Sequence, residues 1–105
     1  MENPWRGDVA LILDGERYVM RLTLGALAAL EAELETESLV ALVERFEGGG
    51  FAARDVLALL RAGLIGGGAP EAAEQVERAE IEGGPVAAGR AAAELLARAF
   101  HVPAG

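Results

Sequence analysis

The order of apolar and polar positions near the start of the chain is typical of a β-hairpin. Residues 9–13 form a short apolar run, and residues 16–23 alternate between two faces. Asp14-Gly15 separates the runs, and this pair is preferred in two-residue hairpin turns because both positions need positive φ. We therefore predict an antiparallel hairpin over about 8–23. An isolated hairpin is barely stable in water, so this one must pack on helices or gain a partner's strand.

After the hairpin the apolar positions recur at the spacing of amphipathic helices. Thr23 and Ser38 stand where helix N-caps are expected, and runs of glycine separate the later segments. The predicted helices span about 24–34, 38–46, 53–64, 71–78 and 86–100. The fold class is therefore α+β and mostly helical, with an N-terminal antiparallel hairpin followed by four or five helices in a single domain, 1–105.

The apolar stripes of these helices also name an expected core. In the last helix the stripe includes Leu95 and Phe100, and in the first helix it consists of Leu24, Leu27, either Leu30 or Glu31, and Leu34. Because only 5% of the residues are aromatic, the core must consist mainly of aliphatic side chains.

The charge balance narrows the choice of partners. The chain of 105 residues carries a formal net charge of −8, which disfavours binding to nucleic acid and to anionic membrane surfaces. It favours solubility or a basic protein partner. The first eight residues are polar and lack the apolar core of a signal peptide, so we expect the bacterial cytoplasm as the location.

The residue types that carry most catalysis are scarce. Without cysteine there is no disulfide and no thiolate metal site. His101 is the sole histidine and lies in a tail, and Ser38, the sole serine, already has a capping role. Glu31 and Glu35 share a helix face, but a solvated surface explains them better than a metal site or an acid pair. We expect no catalytic residue, no metal and no cofactor.

The glycine runs do not resemble phosphate-binding loops. All nine basic residues are arginine, whereas a P-loop needs a lysine followed by serine or threonine. Runs 48–50 and 66–68 each follow a predicted helix and not a parallel strand, as a dinucleotide fold would require. We interpret them as helix stops and flexible links.

A protein-binding role remains, and several apolar side chains are candidates for it. The hairpin edge and the region from Phe46 to Phe51 are the preferred contacts, although each candidate can also belong to the core. Trp5 lies in a polar arm, where it either anchors a partner or folds back onto the hairpin. The candidate partner-binding residues are Trp5, Tyr18, Phe46, Phe51, Leu60 and Leu64.

Several stretches in a fixed order resemble one known family. They are 3–11 (NPWRGDVAL), 14–15 (DG), 22–31 (LTLGALAALE), 45–49 (RFEGG), 54–64 (RDVLALLRAGL) and 91–96 (AAAELL). Together they are similar to small tail-cluster proteins of gene transfer agents from α-proteobacteria, which resemble phage tail assembly chaperones and are also labelled phage tail tube proteins. No single stretch is chemically specific, and the signal is their order across nearly the whole chain.

The resemblance implies a tail assembly chaperone that binds the tape measure protein, the tail tube protein or both during tail assembly. The alternative is a structural tail component, a tail tube or connector subunit, that remains in the particle. The tail of a phage-like particle is then a second location, and self-association is open. The family carries no catalytic residues, so none is transferred to this chain.

Overall fold

The computed structural model describes residues 7–34 and 38–100. It shows an N-terminal antiparallel hairpin followed by helices, which confirms the predicted α+β fold class. In chain order the elements are β1 (Val9–Leu13), β2 (Glu16–Met20), α1 (Leu24–Leu34), α2 (Leu39–Gly48), α3 (Ala53–Gly66), α4 (Pro70–Gln75) and α5 (Gly84–Ala99).

The hairpin forms around the predicted turn. Leu13 lies opposite Glu16, which leaves Asp14 and Gly15 as the two turn residues. Their φ angles are 50° and 81°, the positive values that this turn type requires. One face of the hairpin is buried, and its core residues are Val9, Leu11, Leu13 and Met20.

Both predicted N-caps are present. The Thr23 hydroxyl oxygen accepts the Ala26 N–H at 3.1 Å, and the Ser38 hydroxyl oxygen accepts the Ala41 N–H at the same distance. These bonds satisfy amide groups that have no partner within the first helical turn. The starts of α1 and α2 are thus set by local sequence.

The helix ends depart from the prediction where packing overrides local signals. α3 continues to Gly66, two residues beyond the predicted end, because glycine there lets the helix lie against β2. α4 ends at Gln75, three residues early, since the chain must turn to bring Ile81 beside Leu13. α5 begins at Gly84 after Gly83, whose φ is 88°.

α3 is the central helix, since it contacts α1, α4, α5 and β2. Its inward residues include Leu59, Leu60 and Leu64, each with 0% exposure. Two expectations about the core were wrong. Leu24 is 83% exposed because it lies at the first position of α1, and Phe100 is 44% exposed because it follows the last turn of α5.

Both edges of the hairpin are partly covered from within the chain. On the β1 side, Asp14 N–H donates to the Glu80 carbonyl at 2.8 Å and Glu82 N–H donates to the Ile12 carbonyl at 3.1 Å. On the β2 side, Arg21 N–H donates to the Gly63 carbonyl at 2.9 Å. The hairpin edge, a predicted partner contact, is therefore partly engaged in the fold.

Candidate functional site

A large, open apolar groove of about 800 Å³ lies between α3 and α5. Arg90 is the sole charged residue among those that line it. The α3 wall consists of Ala53, Val56, Leu57 and Leu60, preceded by Phe51, and the α5 wall consists of Pro85, Val86, Ala88, Gly89, Arg90 and Ala93, with Ile81 between them.

A second, smaller groove of about 360 Å³ lies between α2 and α5. Ala93 lines both grooves, so they adjoin along α5. The lining residues of the second groove are Val43, Phe46, Glu47, Ala93, Leu96, Ala97 and Phe100. Together the two form one apolar surface, the α5 groove, which follows α5 from Pro85 to Phe100.

α5 lines this groove because the helix has two apolar faces, and only one of them packs on the core. One face is buried against the core and contains Ala88, Ala91, Ala92, Leu95 and Leu96. The residues of the second face recur at i, i+3, i+7, i+11 and i+14 and line the groove. They are Val86, Gly89, Ala93, Ala97 and Phe100. Since the three middle members have little or no side chain, the groove is open along its centre.

Two phenylalanine rings connect the α2 side to the α3 side of the groove. Phe46 and Phe51 stack with their ring centroids 4.4 Å apart and their planes within 4° of each other. Phe51 is 39% exposed and lines the larger groove, and Phe46 lines the smaller one. The stack therefore forms a shared wall opposite α5.

A buried ion pair holds this wall in place. Asp55 is 4% exposed, and its carboxylate accepts hydrogen bonds from Arg45 Nη2 at 2.9 Å and Arg45 Nε at 3.2 Å. It also accepts the Ala52 N–H at 2.7 Å at the start of α3. Burial by itself raises the pKa of Asp55, but the bonds from Arg45 and Ala52 with the positive charges of Arg45 and Arg54 outweigh it, so the pKa lies below its ordinary value.

The α5 groove carries one charge of each sign. Arg90 lines the larger groove and Glu47 lines the smaller one, and both residues are exposed. Neither makes an ion pair with another residue in 7–34 or 38–100. Their charges are therefore available to a protein that enters the groove.

The structure brings three of the six sequence candidates to this groove. Phe51 and Leu60 line it and Phe46 stacks on Phe51, although Leu60 is fully buried and offers only the groove floor. Leu64 lies in the core at 0% exposure. Tyr18 lines a separate hollow of about 170 Å³ near α4, where partial burial and then Glu16 raise its pKa.

Two further residues from the sequence analysis, Trp5 and His101, lie outside the described residues. Sequence reasoning also missed much of the groove, namely Val86, Gly89, Arg90, Ala93 and Glu47. The signal that could have found the α5 members is the second apolar stripe, which is hidden because alanine fits either a core or a surface.

Within 7–34 and 38–100, no three acidic or histidine side chains lie close enough to hold a metal ion. The buried carboxylates there, Asp8 and Asp55, are each paired with an arginine, Arg21 for the first and Arg45 for the second. In the same ranges, no helix has the length and apolar character needed to cross a membrane.

These features define a small, mostly helical α+β protein with an N-terminal hairpin and a long apolar surface groove. Over residues 6–102 the chain matches the family described as phage tail tube protein, GTA-gp10, and it belongs to that family. No curated protein and no solved structure matches the chain. The resemblance to a phage tail family is thereby confirmed. Because the family is described as a tail tube protein, the match favours the structural alternative over the chaperone.

Proposed function

We propose that this chain is a structural component of a phage-like tail, a tail tube or connector subunit, that binds neighbouring tail proteins through the α5 groove. The observation that carries the proposal is the family match, which spans nearly the whole chain. The proposed role is non-catalytic and assigns no cofactor or metal to any residue.

The exposed apolar surface of the groove supports a binding role. Val86 is 71% exposed, Phe100 is 44% exposed and Phe51 is 39% exposed, all on one connected surface. Covering apolar surface stabilises a complex by roughly 25 cal/mol per Å² before the cost of association is subtracted. Contiguous apolar patches on soluble proteins commonly mark interaction sites.

The groove has the dimensions of a helix-binding surface. The fourteen-residue step from Val86 to Phe100 corresponds to a length of about 21 Å at 1.5 Å per residue. A partner helix of about four turns fits that length with apolar residues at i, i+3, i+4 and i+7. Helical segments of tail proteins, whether a neighbouring copy of this chain, the tail tube protein or the tape measure protein, are therefore the proposed class of partner.

A tail assembly chaperone would use the same groove in a different way. A chaperone would hold the tape measure protein in solution and then leave, so it would be absent from the finished tail. A structural subunit would stay there in several copies. The two hypotheses thus differ in where the chain is found after assembly.

Quantitative mass spectrometry of purified particles tests the proposal. We expect the chain in several copies per tail. A groove-blocking Ala93→Arg variant should be lost from particles, whereas Ala32→Arg, an equivalent change on the exposed face of α1, should be retained. Particles that lack the wild-type chain, combined with a tape measure protein that is soluble only when the chain is co-expressed, would establish the chaperone instead.

A further inference from the structure

We infer that the α5 groove is covered by the same surface of a second copy of this chain, in an antiparallel, two-fold symmetric dimer. The inference deepens the proposed function by naming a partner for the same groove, and it rests on the proposal that the groove acts through protein contact. The observation behind it is the order of two charges along the groove, with Arg90 of α5 in one part and Glu47 of α2 in the other.

The groove has a direction that is set by its two charges. Arg90 lines the part formed with α3, Glu47 lines the part formed with α2, and Ala93 belongs to both parts. A two-fold axis near Ala93, perpendicular to α5, exchanges the two parts. It places Arg90 of each copy against Glu47 of the other, so that one symmetric contact forms two pairs of opposite charge.

Other arrangements of two copies are less favourable. If the two α5 helices were parallel, Arg90 would face Arg90 and Glu47 would face Glu47. Like charges that meet across an interface oppose association, whereas complementary charges fix its register. The charge pattern therefore selects the antiparallel arrangement.

The shape of α5 permits the close approach that this dimer needs. Gly89, Ala93 and Ala97 follow each other at four-residue intervals along the groove. Residues of this size let two helix backbones approach closely, while the larger Val86 and Phe100 stand at opposite ends. In the antiparallel arrangement the Val86 end of one copy covers the exposed Phe100 end of the other.

The net charge of −8 limits where two copies can meet. Two molecules of like net charge repel each other, so they associate where the local surface is apolar or of mixed sign. Within the described ranges, the α5 groove combines an apolar lining with one unpaired charge of each sign. This makes the surface complementary to itself.

Sedimentation velocity of the whole chain over a concentration series tests the inference. We expect a monomer–dimer equilibrium in the wild type. Arg90→Glu and Glu47→Arg should each weaken it about tenfold, since each places like charges together, and the double variant should recover to within about threefold of the wild type. Ala93→Arg should give a monomer, because the side chain fills the centre of the contact.

Arg78→Glu and Ala32→Arg serve as matched controls, since both residues are exposed and outside the groove, and both variants should dimerise like the wild type. Circular dichroism and thermal unfolding confirm that each variant is folded. A wild type that stays monomeric, reversals that change nothing, or a double variant that fails to recover would each overturn the inference.

The outcomes for the dimer and for the structural role can be told apart. A chain that is monomeric in solution yet present in purified particles overturns the dimer and leaves the structural role intact. A chain that dimerises through the groove yet is absent from particles overturns the structural role and leaves the dimer intact.

Discussion

Two glycines of α3, Gly63 and Gly66, and Gly67 directly after the helix lie where the chain passes the hairpin. A Cβ atom on Gly66 would stand 1.9 Å from the Arg21 carbonyl oxygen, and one on Gly67 would stand 2.0 Å from the Val19 carbonyl oxygen. At Gly63 it would lie 2.8 Å from a Leu95 methyl group. Glycines 66–68 are a predicted helix stop, and α3 does end at Gly66. Gly66 and Gly67 are in addition required by the close approach of two backbones.

We predict that Gly66→Ala destabilises the protein by about 1–3 kcal/mol, the usual range for overpacking. The clash is with the backbone carbonyl of Arg21, so relief requires the chain just after β2 to move away from α3. Urea unfolding measures the change. The matched control is Gly48→Ala in α2, where a Cβ would meet nothing within 4 Å and φ is not positive. That variant should be neutral or slightly stabilised, and an equal loss in both variants would contradict the steric explanation.

A second prediction at the scale of a residue concerns Asp55. Because its folded-state pKa is lowered, its charge stabilises the fold above the ordinary pKa of about 3.9, and this contribution is lost as the pH falls through the folded-state value. We expect Asp55→Asn to reduce the free energy of unfolding at neutral pH by about 1–3 kcal/mol, through weaker bonds to Arg45 and Ala52.

The difference between the wild type and Asp55→Asn should be constant at neutral pH and should shrink below about pH 4. Chemical unfolding at a series of pH values measures it. Glu31→Gln, on the exposed face of α1, removes the same charge from a site with no ion pair in the described ranges. If both variants show the same pH dependence, the ion pair with Arg45 does not stabilise the fold.

At the scale of elements, α2 is attached to the rest of the fold by a small set of contacts. Leu42 enters the core, Arg45 binds Asp55 of α3, and Phe46 stacks on Phe51 just before α3. The last two contacts join residues on either side of the glycine run 48–50. They determine where α2 stands relative to α5 and therefore how wide the groove is.

We predict a coupling free energy of about 0.5–1.5 kcal/mol between Phe46 and Phe51 in a double-mutant cycle to alanine. The stacking free energy is lost in full when either ring is removed, so removing the second ring costs less than it does in the wild type. Equilibrium unfolding of the wild type, both single variants and the double variant gives the value. Phe46→Ala combined with Val40→Ala, which removes a 66% exposed side chain, should be additive. Additivity in the first cycle would show that the stack adds no stability.

The elements differ in how far the sequence alone could define them. The turn at Asp14-Gly15 and the caps Thr23 and Ser38 follow from short-range rules, and all three are observed. The early end of α4 depends on Ile81 pairing with Leu13, across nearly seventy residues. Such long-range contacts leave no local pattern, and neither does the approach of Gly66 to Arg21.

The difference between short-range patterns and long-range contacts also explains which residues of the candidate site could be predicted. The Phe46 to Phe51 region was a preferred contact in the prediction from sequence, and in the structure its two rings form a wall of the groove. Leu64 was proposed together with Leu60, but the rotation of α3 directs Leu64 into the core. Alanine-rich α5 gave no contrast between its two faces, so its groove face became visible only in the structure. The single-domain assignment and the partner-binding residues stay predictions.

At the scale of the whole molecule, the α5 groove combines parts of α2, α3 and α5 that are distant in sequence. A surface made in this way depends on the complete fold and does not exist in the unfolded chain. Any protein that occupies the groove therefore binds the folded state alone. Occupation of the groove must raise the free energy of unfolding by mass action.

The last prediction uses this linkage. If a second copy fills the groove, the midpoint of thermal unfolding should rise with protein concentration, since dissociation and unfolding are then coupled. A concentration of free chain at about 100 times the dissociation constant adds about 2.7 kcal/mol to the stability. Scanning calorimetry over a wide concentration range should show this rise for the wild type and for Arg78→Glu. Arg90→Glu should show a weaker rise at the same concentrations, and the double variant with Glu47→Arg should regain it. A midpoint that is independent of concentration in every variant would mean that the isolated chain leaves its groove open, which overturns the dimer.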